Sequence, residues 1–86
     1  MEILHNIEEK KAWIVKEGYT AYVEYELKDG ALNILHTVVP EPLGGQGIAS
    51  QLVESVYNYA LENGLKPAAT CTYAMAWLQK HPQYKK

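Results

Sequence analysis

The chain has 86 residues, of which 48% are hydrophobic and 21% are charged, and its formal net charge is -2. This length suits one hydrophobic core, because separate domains rarely fall below about 50 residues, so we expect residues 1–86 to form a single domain. All eight basic residues are lysines. The sequence therefore lacks the guanidinium forks that commonly bind phosphates and bases, and we expect no nucleic-acid partner.

Cysteine content and hydropathy favour a cytoplasmic protein. A lone cysteine, Cys71, cannot form a disulfide within the chain, which is typical of a reducing compartment. The chain begins without the basic and apolar regions of a signal peptide, and it has no apolar run of about 18 residues. We therefore expect no membrane partner. The spacing of cysteine and histidine predicts no metal site either.

The first half of the chain has the patterns of β-strands. Apolar segments predict short strands at Ile3–Ile7 and Ala12–Lys16. Tyr19–Lys28 alternates between apolar and polar side chains, which predicts a third strand with its odd-numbered residues on one face. Asp29-Gly30 is typical of a two-residue hairpin turn. It leads to a fourth strand at Ala31–Val39, whose more continuous apolar character indicates a strand covered on both faces.

The second half has helical periodicity. Apolar residues recur at three- and four-residue spacing from Gln46 to Asn63, which predicts a long helix. Pro67–Cys71 predicts a fifth strand, and Ala74–Lys80 predicts a short last helix. A strand, helix, strand unit is normally parallel, so we expect an α+β fold. Its sheet is mixed and mostly antiparallel, with about five strands, one β-α-β crossover and a short C-terminal helix.

The most specific local feature lies between the fourth strand and the long helix, where Gly44, Gly45 and Gly47 fall within five residues of one another. A glycine-rich turn before a helix presents backbone N–H groups that suit a pyrophosphate, and Ser50 adds a hydroxyl. A tight connection without a ligand is the alternative. A P-loop is excluded because Gly47 is followed by isoleucine, and a dinucleotide fingerprint is excluded because Ser50 replaces its third glycine.

Several segments together resemble the short, stand-alone GNAT-like N-acetyltransferases. Those proteins have a Val-Pro-x-x-x-Arg-Gly-x-Gly-Ile-Gly/Ala loop, then a cysteine-bearing strand, then a His-Pro-x-Tyr motif near the C-terminus. The matching segments here are His36-Thr37, Val39-Pro40, Gly45-Gln46-Gly47-Ile48-Ala49, Cys71 and His81-Pro82-Gln83-Tyr84. They cover nearly the whole chain in the same order, and the combination is more specific than any one part.

The resemblance implies an acetyl-coenzyme A site and transfer of an acetyl group to an amine acceptor. Backbone amides of the loop would hold the pyrophosphate, and the end of the fourth strand would pair with the pantetheine arm where two parallel strands splay apart. The cofactor-binding residues so implied are Leu35, Thr37, Val38, Gly44, Gly45, Gln46, Gly47, Ile48, Ala49 and Ser50. Gly44 departs from the family, which has arginine or glutamine there. This departure implies weaker coenzyme A binding, compensation by Lys66 or another lysine, or lost activity.

Cys71 and His36 are the candidate catalytic residues. The resemblance places Cys71 near the acetyl thioester, whereas its alternative role is that of a small core residue. His36 is suited to accept a proton from an amine or from Cys71, or else it is hydrogen-bonded beside the core. His81 is either a helix cap or a catalytic group. Tyr73 is a weaker candidate for a general acid.

Three functions remain open at this point. The first is an acetyl-coenzyme A-dependent N-acetyltransferase that acts directly or through Cys71. The second is a non-catalytic acyl-coenzyme A-binding module, and the third is a small protein-interaction domain. A small amine, a protein lysine and an N-terminal amine are all possible acceptors, and we expect a monomer or a weak homodimer.

Overall fold

The computed structural model describes residues 2–84 and contains one five-stranded sheet with the strands in chain order. The strands are β1 (Leu4–Asn6), β2 (Lys11–Lys16), β3 (Tyr19–Lys28), β4 (Ala31–Val38) and β5 (Lys66–Ala69). The helices are α1 (Ile48–Glu62) and α2 (Thr72–Lys80), and short 3-10 turns occupy Glu41–Leu43 and Pro82–Tyr84. Strands β1 to β4 pair antiparallel and β5 pairs parallel to β4, which confirms the expected mixed α+β fold.

Two tight hairpins build the antiparallel part of the sheet. Asp29 and Gly30 have φ values of 53° and 76°, and Glu17 and Gly18 have φ values of 55° and 79°. Positive φ at both central residues is the type I′ turn, whose twist matches that of the flanking strands. The predicted turn at Asp29-Gly30 is therefore confirmed, and the turn marked by Glu17-Gly18 has the same geometry.

The hydrophobic core lies between one face of the sheet and the two helices. The strands contribute buried side chains at alternating positions, namely Ala12, Ile14, Ala21, Val23, Tyr25, Leu32 and Ile34. Helix α1 contributes one apolar stripe, formed by Ile48, Leu52, Val53, Val56, Tyr57 and Ala60. Each large side chain of this kind stabilises the fold by about 1.5–3 kcal/mol. The predicted cover on both faces of β4 is wrong, because its burial alternates along the strand and both helices pack on the same side.

The segment after β5 differs from the sequence-based expectation. The fifth strand ends at Ala69, and the N–H groups of Thr70 and Cys71 both approach the carbonyl of Ile34, at 3.1 and 3.2 Å. The chain then turns into α2, so Cys71 is the residue that caps this helix and is not part of a strand. Helix α2 begins before the predicted Ala74 because its first turn is completed over Cys71, whose carbonyl accepts from the N–H of Met75.

Aromatic side chains attach α2 and the C-terminal turn to α1. Trp77 is 5% exposed and lies 5.8 Å from Tyr57 and 5.1 Å from Tyr84, measured between ring centroids. The Tyr57 hydroxyl donates to the carbonyl of Ala68 on β5, and the Tyr84 hydroxyl donates to Asn58 on α1, both at 2.6 Å. These contacts fix α2 beside the end of β5, where the candidate site lies.

A β-bulge in β4 changes which side chains face the helices. Ile34 lies opposite Tyr25 and His36 lies opposite Glu24, so Leu35 has no partner on β3. Because paired residues share a face, the extra residue moves Thr37 onto the helix-covered face and His36 onto the opposite one. Without the bulge, His36 would continue the buried series of Leu32 and Ile34.

Candidate functional site

The two parallel strands separate at the end of β4. Their pairing runs from Ala31 opposite Lys66 to Ile34 opposite Ala69, and β5 then ends. Within residues 2–84, the β5 side of Leu35–Val38 has no strand beside it. The resulting gap leaves backbone groups of β4 available to a ligand, which is the geometry implied by the resemblance.

The glycine-rich loop closes one end of this gap. Pro40 and Glu41 accept hydrogen bonds from the N–H groups of Leu43 and Gly44, at 2.9 Å each, and Leu43 is fully buried. This turn anchors the loop. Gly45 and Gly47 then adopt left-handed φ values of 77° and 75°, which side chains other than glycine rarely accept.

Helix α1 begins without the usual stabilising residues. Its cap position is Gly47, which makes no side-chain capping bond, and the first turn has no acidic residue. Glycine is a favourable residue at this position, within a few tenths of a kcal/mol of a polar cap, but it offers no side-chain acceptor to the first N–H groups. The first N–H groups, including those of Ile48, Ala49 and Ser50, therefore keep their hydrogen-bonding capacity and their partial positive charge.

A depression of about 240 Å³ lies over these N–H groups. It is lined by loop and helix residues between Val39 and Ser50 and, from the other side, by Tyr73. A Cβ atom added at Gly45 or Gly47 would meet nothing within 4 Å, so the surface of the loop is open above both residues. The loop and α2 thus form the two walls of one site.

Ser50 is held in a defined orientation. The indole Nε1 of Trp77 donates a hydrogen bond to the Ser50 hydroxyl oxygen at 2.9 Å. Since the oxygen accepts from the indole, the hydroxyl hydrogen is left to donate to another group. Trp77 thereby orients a donor in the first turn of α1.

Lys16 contributes a positive charge to the loop that sequence reasoning missed. This residue ends β2, and its ammonium group donates to the side-chain carbonyl of Gln46. The lysine proposed to compensate for Gly44, Lys66, lies instead at the other end of β4, opposite Ala31. No local signal marks Lys16, because 30 residues separate it from Gln46 along the chain.

Cys71 lies half-buried on the helix-covered side of the gap. Its Sγ atom is 3.5 Å from the hydroxyl oxygen of Thr37. Burial raises the pKa of the thiol, but hydrogen bonds from the Thr37 side chain and from the backbone N–H groups of Ala74, Tyr73 and Thr37 lower it, and the net pKa lies below its ordinary value. The N-terminus of α2 and Thr37 thus favour the thiolate, the nucleophilic form.

His36 is exposed on the opposite face of the sheet. The bulge separates its side chain from Cys71 and Thr37, so the structure does not bring the two candidate catalytic residues together on one face.

His81 has a structural environment: its ring stacks on Trp77 at 3.9 Å, and its Nδ1 lies 2.8 Å from the Trp77 carbonyl. Tyr73 is 41% exposed and belongs to the last helix, beside the loop.

A larger depression, of about 560 Å³, lies away from the gap. It separates the polar side of α1 from the β1 edge of the sheet, at Ile3 and His5, whereas the gap lies beside the opposite edge strand. Its size carries less weight than the arrangement of donors at the loop.

Within residues 2–84, no cluster of histidine, cysteine or acidic side chains is suited to hold a metal ion, and no helix has the length and apolar character needed to cross a membrane.

Comparison with known proteins identifies the class to which this fold and loop belong. The solution NMR structure of a GCN5-like protein from Staphylococcus aureus superposes with a TM-score of 0.77 at 36% identity and covers 96% of this chain and 82% of that chain. The model of the GCN5-related N-acetyl-transferase family matches residues 11–86. The chain therefore belongs to the GCN5-related N-acetyltransferase family, and the expected family is confirmed.

More distant relatives come from vertebrates. Protein NATD1 of Danio rerio is 34% identical over 55 residues, which make up 62% of this chain and 50% of that protein. Protein NATD1 of Homo sapiens is 31% identical over 51 residues, or 59% of this chain and 45% of that protein. The chain thus matches about half the length of these relatives.

Proposed function

We propose that this chain transfers an acetyl group from acetyl-coenzyme A to a primary amine. The observation that carries the proposal is the alignment of three features: the N–H groups at the start of α1, the unpaired edge of β4 from Leu35 to Val38, and the thiol of Cys71. They follow one another in space as pyrophosphate, pantetheine and thioester follow one another in an acyl-coenzyme A.

The loop residues fit the phosphate end of such a molecule. The open space above Gly45 and Gly47 lets phosphate oxygens approach the backbone, and the dipole of α1 adds favourable charge. Ser50 is oriented to donate its hydroxyl hydrogen, and Lys16 supplies an ammonium group beside Gln46. Lys16 therefore takes over part of the role of the basic residue that Gly44 replaces.

Acetyl-coenzyme A supplies the acetyl group as a thioester. In direct transfer, His36 accepts a proton from the acceptor ammonium on the face of the sheet away from the helices, and the free amine attacks the thioester carbon. A C–N bond forms, the C–S bond breaks, the electron pair remains on the coenzyme A sulfur, and the nitrogen releases its second proton to solvent. Tyr73, two residues after Cys71 in the first turn of α2, would donate a proton to that sulfur.

A route through Cys71 uses the same site in two steps. The thiolate attacks the thioester carbon, coenzyme A leaves as a thiolate, and the acetyl group becomes bound to Sγ of Cys71. The acceptor amine then attacks this second thioester, the C–S bond breaks with its electron pair left on Cys71, and the proton lost by the amine neutralises the coenzyme A thiolate. The hydrogen bonds that lower the pKa of Cys71 below its ordinary value support this route.

The loss of the basic residue at Gly44 favours one alternative, a module that binds acyl-coenzyme A without turnover. Titration calorimetry with coenzyme A, together with amide NMR shifts, tests the binding that both functions require. We expect saturable shifts at Gly44–Ser50 and Leu35–Val38. Absence of binding at millimolar coenzyme A would refute both functions.

Turnover separates the enzyme from the binding module. We expect N-acetylation of a lysine derivative, measured by mass spectrometry, to depend on the protein and on acetyl-coenzyme A. The Cys71→Ala variant retains coenzyme A binding in either route. Loss of transfer in this variant supports the route through Cys71, whereas full activity supports direct attack.

A further inference from the structure

One face of the sheet carries no helix within residues 2–84, and we call it the open face. A row of apolar and aromatic side chains crosses it, because register pairs Leu4 with Trp13, Trp13 with Tyr22, and Tyr22 with Val38. Leu4 is 42% exposed and Val38 is 40% exposed. The row ends at Val38, on the strand that borders the gap.

A depression of about 190 Å³ lies on the open face at β2. Trp13, Val15 and Thr20 line it together with the charged side chains of Glu9 and Lys11, and Val15 is 58% exposed. Pockets that enclose drug-sized molecules measure about 300–1,000 Å³, so this depression suits a single side chain rather than a whole small molecule.

We propose that the open face docks a lysine-bearing polypeptide, with an apolar side chain in the depression at Trp13 and the lysine amine in the gap beside β4. This inference rests on the proposed function, since it assigns the class of acceptor. Tryptophan and tyrosine are suited to the task, because rigid aromatic rings provide contact area at a low cost in conformational entropy.

The distance from the depression to the gap sets the spacing within the acceptor. Trp13 and Val38 lie two strands apart, which corresponds to about 10 Å. An extended chain covers that distance with about three residues. The apolar residue should therefore be about three positions from the lysine.

The charges of the open face suit an ammonium group. Glu24 and Glu26 lie on this face, and Glu24 is paired with His36, the proposed proton acceptor. The ring of Tyr22 already receives an ammonium group of the chain itself, since Nζ of Lys11 lies 4.5 Å from its centroid. Since Lys11 also lies opposite Glu24, the acceptor lysine would share the Glu24 carboxylate with Lys11 beside the gap.

The size of the open face argues for a transient partner and against a second copy of the chain. The open face of the four antiparallel strands, β1 to β4, has an area of roughly 400 Å², since the strands lie about 4.8 Å apart and have about six residues each. A stable interface buries about 800 Å² on each partner. The open face provides about half of that area, which is appropriate for a substrate that must leave after acetylation.

Two blocked peptides test the inference: acetyl-Leu-Gly-Gly-Lys-amide and acetyl-Gly-Gly-Gly-Lys-amide, which offer the same amine with and without an apolar side chain three positions away. We expect kcat/KM of the full chain to be at least tenfold higher for the leucine peptide. Val15→Lys fills the depression and adds a positive charge, so the ratio between the two peptides should fall to within about twofold.

The matched control is Leu61→Lys, which makes the same charge change at an apolar residue of α1 that is 45% exposed. This variant should keep the wild-type ratio, and all three proteins should bind coenzyme A equally. Equal use of both peptides by the wild type, or an undiminished ratio in Val15→Lys, would overturn the inference. So would a wild-type dimer, detected by sedimentation equilibrium, that Val15→Lys dissociates.

A direct binding measurement separates this inference from the proposed function. If coenzyme A binds but neither peptide is acetylated, the proposed transfer fails, and a change in tryptophan fluorescence that Trp13→Phe abolishes still reports docking. A saturable change with the leucine peptide, smaller with the glycine peptide and lost in Val15→Lys, supports the docking surface. No change with either peptide refutes it.

Discussion

At the scale of single residues, one hydroxyl and one ammonium group add to the electrostatics that the helix N-termini supply in the candidate site. Thr37 reaches Cys71 only because the bulge at Leu35 turns it toward the helices, and Lys16 reaches the loop from the end of β2. Neither role follows from residue type alone. Both residues can be changed while the hydrophobic core is kept intact.

Thr37→Val should raise the pKa of Cys71. The substitution removes a hydrogen bond to the thiolate but keeps the burial that opposes ionisation, so the thiol should require a higher pH to react. The measurement is the rate of Cys71 alkylation by iodoacetamide as a function of pH. Thr70→Val, at an exposed neighbouring position, should keep the wild-type midpoint. An unchanged midpoint in Thr37→Val would mean that Thr37 does not stabilise the thiolate.

Lys16→Gln should weaken coenzyme A binding. A hydrogen bond to a charged group contributes about 1.5–3 kcal/mol, and solvent exposure reduces it toward about 1 kcal/mol, so the Kd should rise about fivefold. Calorimetry at two salt concentrations measures the effect, which should shrink at high salt. Lys66→Gln makes the same change far from the loop. Equal losses in the two variants would show that only net charge matters.

At the scale of secondary-structure elements, the junction between β4 and α1 departs from the usual start of a helix. The helix lacks a capping side chain, and the preceding loop requires two glycines with positive φ. Local rules of this kind are usually broken where a protein binds a ligand. The opposite end of α1 is conventional, since the amide of Asn63 donates to the carbonyl of Tyr59.

Gly45→Val should abolish detectable coenzyme A binding while the chain remains folded. A non-glycine residue in the left-handed region costs about 1–2 kcal/mol, and the new side chain would occupy the open space above the loop. Gly64→Val is the control, because Gly64 has a φ of 70° and equally open space but lies at the far end of α1. Calorimetry and circular dichroism should show similar stability for both variants and binding for Gly64→Val only. Normal affinity in Gly45→Val would refute the loop assignment.

At the scale of the whole molecule, residues 2–84 form a two-layer structure in which no helix covers one side of the sheet. A domain of this size buries only about 60–65% of its unfolded surface, and its stability is correspondingly small. The packed rings of Trp77, Tyr57 and Tyr84 form a cluster that joins both helices and the C-terminal turn into one unit. This cluster offsets part of the small burial. Because that cluster also orients Ser50, binding at the loop should be coupled to the stability of the entire fold.

Coenzyme A should raise the melting temperature substantially. At a ligand concentration about 100-fold above Kd, binding stabilises the folded state by about 2.7 kcal/mol, which corresponds to a rise on the order of 10 °C in a domain this small. Differential scanning fluorimetry measures this shift. Dephospho-coenzyme A reports the contribution of the 3′-phosphate, and adenosine serves as the control without phosphates. A shift of equal size with adenosine would contradict a phosphate site at the loop.

Local chemistry was sufficient to predict most of the fold. Alternation gave the bounds of β3 correctly, Asp29-Gly30 specified a hairpin, and three- and four-residue spacing located α1 to within two residues. The same reasoning brought the glycine-rich loop to the end of a strand and the start of a helix. These features are readable because each depends on φ preferences or periodicity within a few neighbouring residues.

Contacts between distant segments decided the rest. The bulge at Leu35 depends on the pairing of β4 with β3, and it alone determines that Thr37 faces Cys71 while His36 faces the open side. The approach of Lys16 to Gln46 and of Tyr73 to the loop likewise joins segments remote in sequence. No local pattern encodes such contacts, because strand register and helix docking are set by hydrogen bonds and packing across the whole core.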